Sequence, residues 1–111
     1  SENLTMALQS GQPVIIDFWA EWCAACHELE EKTFSDALVM EKLKQFQLLK
    51  FDATDESEVL KEYKNKFSIQ GLPTLIFYNG QGKMISNLTL TEFESPQAFQ
   101  DRLDKILESK K

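Results

Sequence analysis

Apolar residues in this chain fall into short dense runs separated by stretches in which they recur every three or four positions. The densest run, Val14-Ile15-Ile16-Asp17-Phe18-Trp19-Ala20, is rich in β-branched and aromatic residues and predicts a buried strand over 14–19. Before it, Leu4, Ala7 and Leu8 keep a helical spacing that stops at Gly11, predicting a short helix over 3–10. After it, no Gly, Pro or β-branched residue occurs from Cys23 until Thr33, which predicts a helix over about 23–33. Ser35-Asp36 then caps a second helical stretch in which Val39, Leu43 and Phe46 share a face. Leu48 to Ala53 reads as another strand, and Thr54 or Asp55 caps a helix carrying Val59, Leu60, Tyr63 and Phe67 on one side. Gly71-Leu72-Pro73 breaks the chain before a strand over 74–78. Asn79-Gly80-Gln81-Gly82 is a turn signal, so a strand over about 83–88 should return antiparallel. Ser95-Pro96 opens a last helix with Phe99, Leu103 and Ile106 as its buried stripe.

A strand, a helical connection and a second strand near the start imply a right-handed parallel crossover. The hairpin and closing helix complete a mixed sheet with helices on both faces, one α/β domain without repeats or interior linkers. The length of 111 residues fits one domain, and 42% hydrophobic residues with eight Phe can fill a core. The net charge of −6 argues against nucleic acid and anionic membrane as partners. No run of about 18 apolar residues is present to span a bilayer. The chain opens at Ser1 without a charged-then-apolar leader, and the expectation is a mature chain or a domain excised from a longer membrane protein.

The only two cysteines, Cys23 and Cys26, stand where the first strand hands over to a helix. Two intervening residues allow a small disulfide ring, a pair of metal ligands or two thioether attachment points. They cannot staple distant parts of the fold, so their value is chemical. A cysteine at a helix start sits among unpaired backbone N–H groups at the positive end of the helix dipole. That setting favours thiolate, the nucleophile of disulfide exchange. Cys23-Ala24-Ala25-Cys26-His27 also fits the Cys-x-x-Cys-His signature of c-type haem attachment, with His27 as one axial ligand and Met6, Met40 or Met84 as the other. The apolar strand before the motif argues for an α/β fold instead. Zinc would need a distant ligand pair, and the only His is crowded against the two Cys.

Asp17-Phe18-Trp19-Ala20-Glu21-Trp22-Cys23 followed by Cys26, and later Gly71-Leu72-Pro73-Thr74, resembles the thioredoxin superfamily. The resemblance runs from Pro13 to the final helix. Within the superfamily the chain is most similar to the periplasmic C-terminal domains of DsbD-type thiol:disulfide interchange proteins. Those share Ala before the second Cys, a Glu seven residues after the first (Glu30) and a following Thr-Phe-Ser-Asp (33–36). Ordinary thioredoxins carry Gly-Pro where this chain has Ala24-Ala25, and the family's first edge strand is not evident before Leu4.

The resemblance implies a thioredoxin fold with a mixed four- or five-stranded sheet and helices on both faces. It implies Cys23 as an exposed nucleophile and Cys26 as the buried resolving thiol. Asp17 would exchange protons with Cys26, and Glu30 would tune the pair from the same side of the helix. The helix start pulls the Cys23 pKa down while these carboxylates push it up, so the domain should be a reductant. Pro73 would be cis and face the dithiol, with Leu72 and Trp22 receiving a partner. Lys50 is placed to pair with Asp17 or to stand exposed on its strand. His27 would be a surface residue beside the site.

The function implied is protein-disulfide reduction with no cofactor beyond the Cys23–Cys26 couple. Electrons would pass from a membrane-embedded dithiol domain to an N-terminal periplasmic domain of the same protein, and the domain itself would be monomeric and periplasmic. The alternatives are a free-standing thioredoxin-like reductase, cytoplasmic or periplasmic, and a non-catalytic adaptor. An adaptor of this fold has generally lost a cysteine, and this chain keeps both.

Overall fold

Val14–Trp19 forms β1, and five of its six residues are buried, so both faces of the strand are covered. A strand of this kind belongs at the centre of a sheet sandwiched between helices. The computed structural model describes residues 2–109. In it β1 pairs in parallel with β2 (Gln47–Asp52) and antiparallel with β3 (Thr74–Tyr78), giving the order β2-β1-β3.

Alternation along the strands sorts the core into two layers. Ile15, Leu75 and Phe77 look to one face, where they meet Leu29, Val39, Phe99, Leu103 and Ile106. The last three lie on α5 (Pro96–Glu108), capped by Ser95 with Pro96 in its first turn, and Val39 lies on α3 (Ala37–Leu43), capped by Asp36. Val14, Ile16 and Phe18 look to the other face with Ile76 and Tyr78. There they meet α1 (Glu2–Leu8) and α4 (Glu58–Phe67), with Phe18 wedged among the rings of Phe51, Tyr63 and Phe67 at centroid distances of 5.5 to 6.0 Å.

Three predicted features are corrected. The sheet has three strands among the described residues rather than four or five. The chain does return antiparallel after the Asn79 turn, whose side-chain oxygen accepts from Gln81 and Lys83 and whose Gly82 takes a φ of 79°. Among the described residues it then pairs with β3 through two isolated bridges, Tyr78↔Met84 and Leu75↔Leu90. Between those bridges Ser86–Leu88 winds into a 3₁₀ turn, in which the Leu88 and Thr89 N–H groups donate to the Ile85 and Ser86 carbonyls while Ile85 and Leu88 pack on the core. Secondly, α4 is capped by Ser57, whose hydroxyl accepts from Leu60 N–H, not by Thr54 or Asp55. The third correction concerns the helix expected over 23–33, which is α2 (Ala24–Glu28) continued by a π-helical turn, Leu29–Thr33.

Candidate active site

The strand-to-helix junction builds the site. Cys23 is the N-cap of α2 in extended conformation, and its Sγ accepts the Cys26 N–H at 3.2 Å. The two sulfurs are bonded to each other across a Cα–Cα distance of 5.3 Å. The disulfide lies in an apolar nest of Ala20 and the flanking Trp19, Ala25 and Leu72. Cys23 was expected to be exposed above a buried Cys26. In this oxidised form both are enclosed, at 5% and 7% exposure.

Asp17, on β1, is 4% exposed. Beside it opens a cleft of about 230 Å³, lined by Asp17, Trp19, Cys26, His27, Glu30 and Lys50. Burial pushes the Asp17 carboxyl up to about 6, with the Glu30 charge adding to the rise and Lys50 opposing it. A carboxylate poised near neutral pH beside a thiol can take and return a proton.

Lys50 stands opposite Asp17 in the parallel register, yet its Nζ donates to Glu30 Oε2 at 2.8 Å. Glu30 comes within reach because the π turn after α2 buries Leu29 and Thr33 and leaves Glu30 outward over the cleft. Thr33 anchors that turn by donating to the Glu94 carbonyl at 2.6 Å. The Glu30–Lys50 pair is too exposed to add much stability. Its consequence is electrostatic, since it sets two opposing charges over Asp17. Lys50→Met is therefore expected to raise the Asp17 midpoint above 6 and Glu30→Gln to lower it. Carboxyl-carbon NMR titration of Asp17 checks this, and unchanged midpoints in both variants would remove the pair from the site's electrostatics.

The Leu72–Pro73 peptide is cis, as the resemblance implied. Pro73 is buried, Leu72 packs against the cysteine nest, and the Thr74 hydroxyl donates to Gly71 O at 2.7 Å, closing the loop beneath them. Trp22 is 66% exposed, and its indole Nε1–H donates to the Thr54 carbonyl at 3.1 Å. His27 is exposed, and its Nε2 lies 2.7 Å from the Glu21 carbonyl. A carbonyl only accepts, so Nε2 carries the proton. That nitrogen is thus committed to the loop before Cys23, which disfavours the axial-ligand role of the haem reading. Among the described residues no group of three or more His, Cys, Asp or Glu is arranged to hold a metal ion. Sequence reasoning missed Thr54, which it placed only as a helix cap. Its position two residues beyond β2, whose last residue Asp52 is paired with Trp19 at the end of β1, was the available signal.

A thioredoxin-like domain family matches residues 1–107, and the chain belongs to it. Its curated relatives include the thiol:disulfide interchange protein DsbD of Vibrio vulnificus (strain CMCP6), 39% identical over 105 residues, covering 95% of this chain and 18% of that protein. DsbD of Pectobacterium atrosepticum is 40% identical over 105 residues, covering 94% and 18%. The chain therefore spans less than a fifth of the length of these relatives. Among solved structures, the reduced C-terminal domain of Neisseria meningitidis DsbD superposes with a TM-score of 0.79 at 20% identity, covering 95% of this chain and 91% of that one. A thioredoxin from Thermus thermophilus gives 0.80 at 20% identity, covering 96% and 82%. At those identities the shared property is the thioredoxin fold, with its mixed sheet between helices.

Proposed function

We propose that this domain is a thiol–disulfide oxidoreductase that reduces protein disulfides. The observation that carries the reading is the Cys23–Cys26 disulfide at the start of α2, set between Leu72 and a cleft holding a buried acid. In the reduced domain the Cys23 thiolate attacks one sulfur of a partner disulfide. A mixed disulfide forms and the partner's other sulfur leaves as thiolate, taking up a proton. Asp17 accepts the proton of Cys26, whose thiolate attacks the Cys23 sulfur. The partner leaves as a dithiol, and the domain is left with the bond described above. Two electrons have passed to the partner, and no other cofactor is required. Leu72 offers backbone groups to the incoming segment, Trp22 supplies an apolar docking face, and Glu30 tunes Asp17 across the cleft.

The DsbD relatives support a finer reading. Electrons would enter from a membrane-embedded dithiol domain and leave to an N-terminal periplasmic domain of the same protein, with this domain periplasmic and monomeric. Among the described residues no helix is long and apolar enough to cross a membrane, so that spanning part would be another segment.

Insulin reduction tests the activity. Catalytic amounts of the domain should accelerate insulin precipitation by dithiothreitol well above dithiothreitol alone, and a rate equal to the reagent's own would overturn the proposal. The relay is tested separately by the full reading frame, which should encode a polytopic membrane segment. A frame without one would leave a free-standing reductase.

A further inference from the structure

The four residues Ala20 to Cys23 belong to neither β1 nor α2, yet they carry the nucleophile and the exposed indole. What fixes them lies across the sheet. The Thr54 hydroxyl accepts the Glu21 N–H at 2.9 Å, while the Thr54 carbonyl accepts the Trp22 indole N–H. Thr54 is held in turn by Asp52 at the end of β2, whose Oδ1 accepts from the Thr54 N–H at 2.9 Å and from its hydroxyl. The hydroxyl's roles are thereby settled: it donates to a carboxylate and receives a backbone amide. These bonds hold the Asp52 carboxyl below its ordinary value, so the acceptor stays ionised at neutral pH. From the other side the His27 ring donates to the Glu21 carbonyl. Glu21 is thus pinned through both its backbone groups by two side chains, Thr54 from the loop after β2 and His27 from α2.

We infer that Thr54, oriented by Asp52, is a positioning residue that holds the Glu21-Trp22 segment in the shape a protein partner docks against. Short Ser, Thr and Asp side chains compete well for loop amides, which is why a cap-type residue can serve a loop instead of a helix. In this chain α4 has its own cap in Ser57, leaving Thr54 free for the loop. The inference rests on the proposed reductase activity and deepens it by naming what shapes the partner surface. Cys23 itself is held by its own bonds, its N–H to Ala20 O at 3.1 Å and its sulfur to Cys26. The brace therefore acts on docking rather than on sulfur chemistry.

The test compares Thr54→Val, which keeps the shape and loses the hydroxyl, with Thr54→Ser, which keeps the hydroxyl. Loss of the hydroxyl's two bonds, from the Glu21 N–H and to Asp52, should lower kcat/KM for insulin about three- to tenfold in Thr54→Val, chiefly through KM. Thr54→Ser should stay within about twofold of the parent protein, because the bonded hydroxyl is retained. Reaction of the reduced domain with a small aromatic disulfide, which needs no docking, should be unchanged in both. The Glu21 backbone N–H, which loses its acceptor, should exchange faster with deuterium in Thr54→Val. Asp52→Ala, at an exposed position, should reproduce the Thr54→Val pattern. Equal insulin kinetics in Thr54→Val and the parent would overturn the inference. So would equal losses in the Val and Ser variants, or a parallel loss with the small disulfide, since each would mark the contact as general loop support. An inactive parent protein would instead remove the proposed function itself.

Discussion

Cys26→Ser is expected to convert a transient encounter into a stable adduct. With the resolving sulfur gone, the Cys23 thiolate can still attack a partner disulfide, but nothing displaces the partner from the mixed disulfide. Incubating reduced Cys26→Ser domain with a disulfide-bonded protein should yield a covalent complex that dithiothreitol dissolves. Cys23→Ser should yield none, because an alcohol is a far weaker nucleophile at neutral pH than a thiolate. Turnover with insulin should fall to the background of dithiothreitol alone in both variants. The contrast decides the assignment of roles, since both sulfurs are enclosed to nearly the same degree in the oxidised form. Exposure alone does not separate them. Position does: Cys23 caps α2 and accepts an amide hydrogen, whereas Cys26 lies within the helix and lines the Asp17 cleft. Adducts from Cys23→Ser rather than Cys26→Ser would reverse the roles.

The parts of this fold that depend on one residue type at one place were legible in the sequence. An uninterrupted Val-Ile-Ile with Phe and Trp reads as a strand buried on both sides, and β1 is one. The Ser95-Pro96 start of α5 and the stripe of Phe99, Leu103 and Ile106 follow from capping and a 3.6-residue period. What was not legible turns on competition between equivalent choices. Thr54, Asp55 and Ser57 are all cap-competent, and Ser57 wins because it stands three residues before Leu60, the residue of α4 that is fully buried. Leu29–Thr33 has good helix formers, and its π turn reflects tertiary anchoring of Leu29 and Thr33 rather than any local propensity. The segment after Asn79 had strand character but lies at a sheet edge, where packing of Ile85 and Leu88 outweighs further pairing.

The site divides in the same way. The dithiol and Asp17 were visible as residue types in odd places, above all a carboxylate inside an apolar strand, whereas Pro73 read as a chain breaker and its cis form came only through the family resemblance. The partner of Lys50 was not. Register puts Lys50 opposite Asp17, but a long flexible ammonium goes to the better-solvated Glu30 and reaches Asp17 only through its field. Exposure costs the Glu30 carboxylate little hydration, so the ion pair forms there and Asp17 keeps its raised pKa.

Asp17→Asn should make the oxidised domain more stable and its turnover slower. The carboxyl titrates at about 6 in the fold against an ordinary 3.8, and the cause is burial of the charged form. Between those values the folded chain binds more protons than the unfolded one, so stability falls as pH rises through the window. The difference of about 2.2 units corresponds to roughly 3 kcal/mol, complete below pH 3.8 and gone above about 6. An uncharged Asn carries no such penalty. At pH 7 the variant should therefore exceed the parent by up to about 3 kcal/mol, or about 13 °C in Tm for a domain of this size. The gap should close on acidification toward pH 4, where the parent's carboxyl is protonated as well. Turnover with insulin should move the other way, falling on the order of 10²-fold at neutral pH if Asp17 is the base for Cys26. A gain in stability joined to a loss of rate marks a group retained for chemistry at a cost to the fold. Denaturation at pH 4, 5.5 and 7 gives the stability difference, and a gap that stays constant across that range would show that the Asp17 charge is not what the fold tolerates.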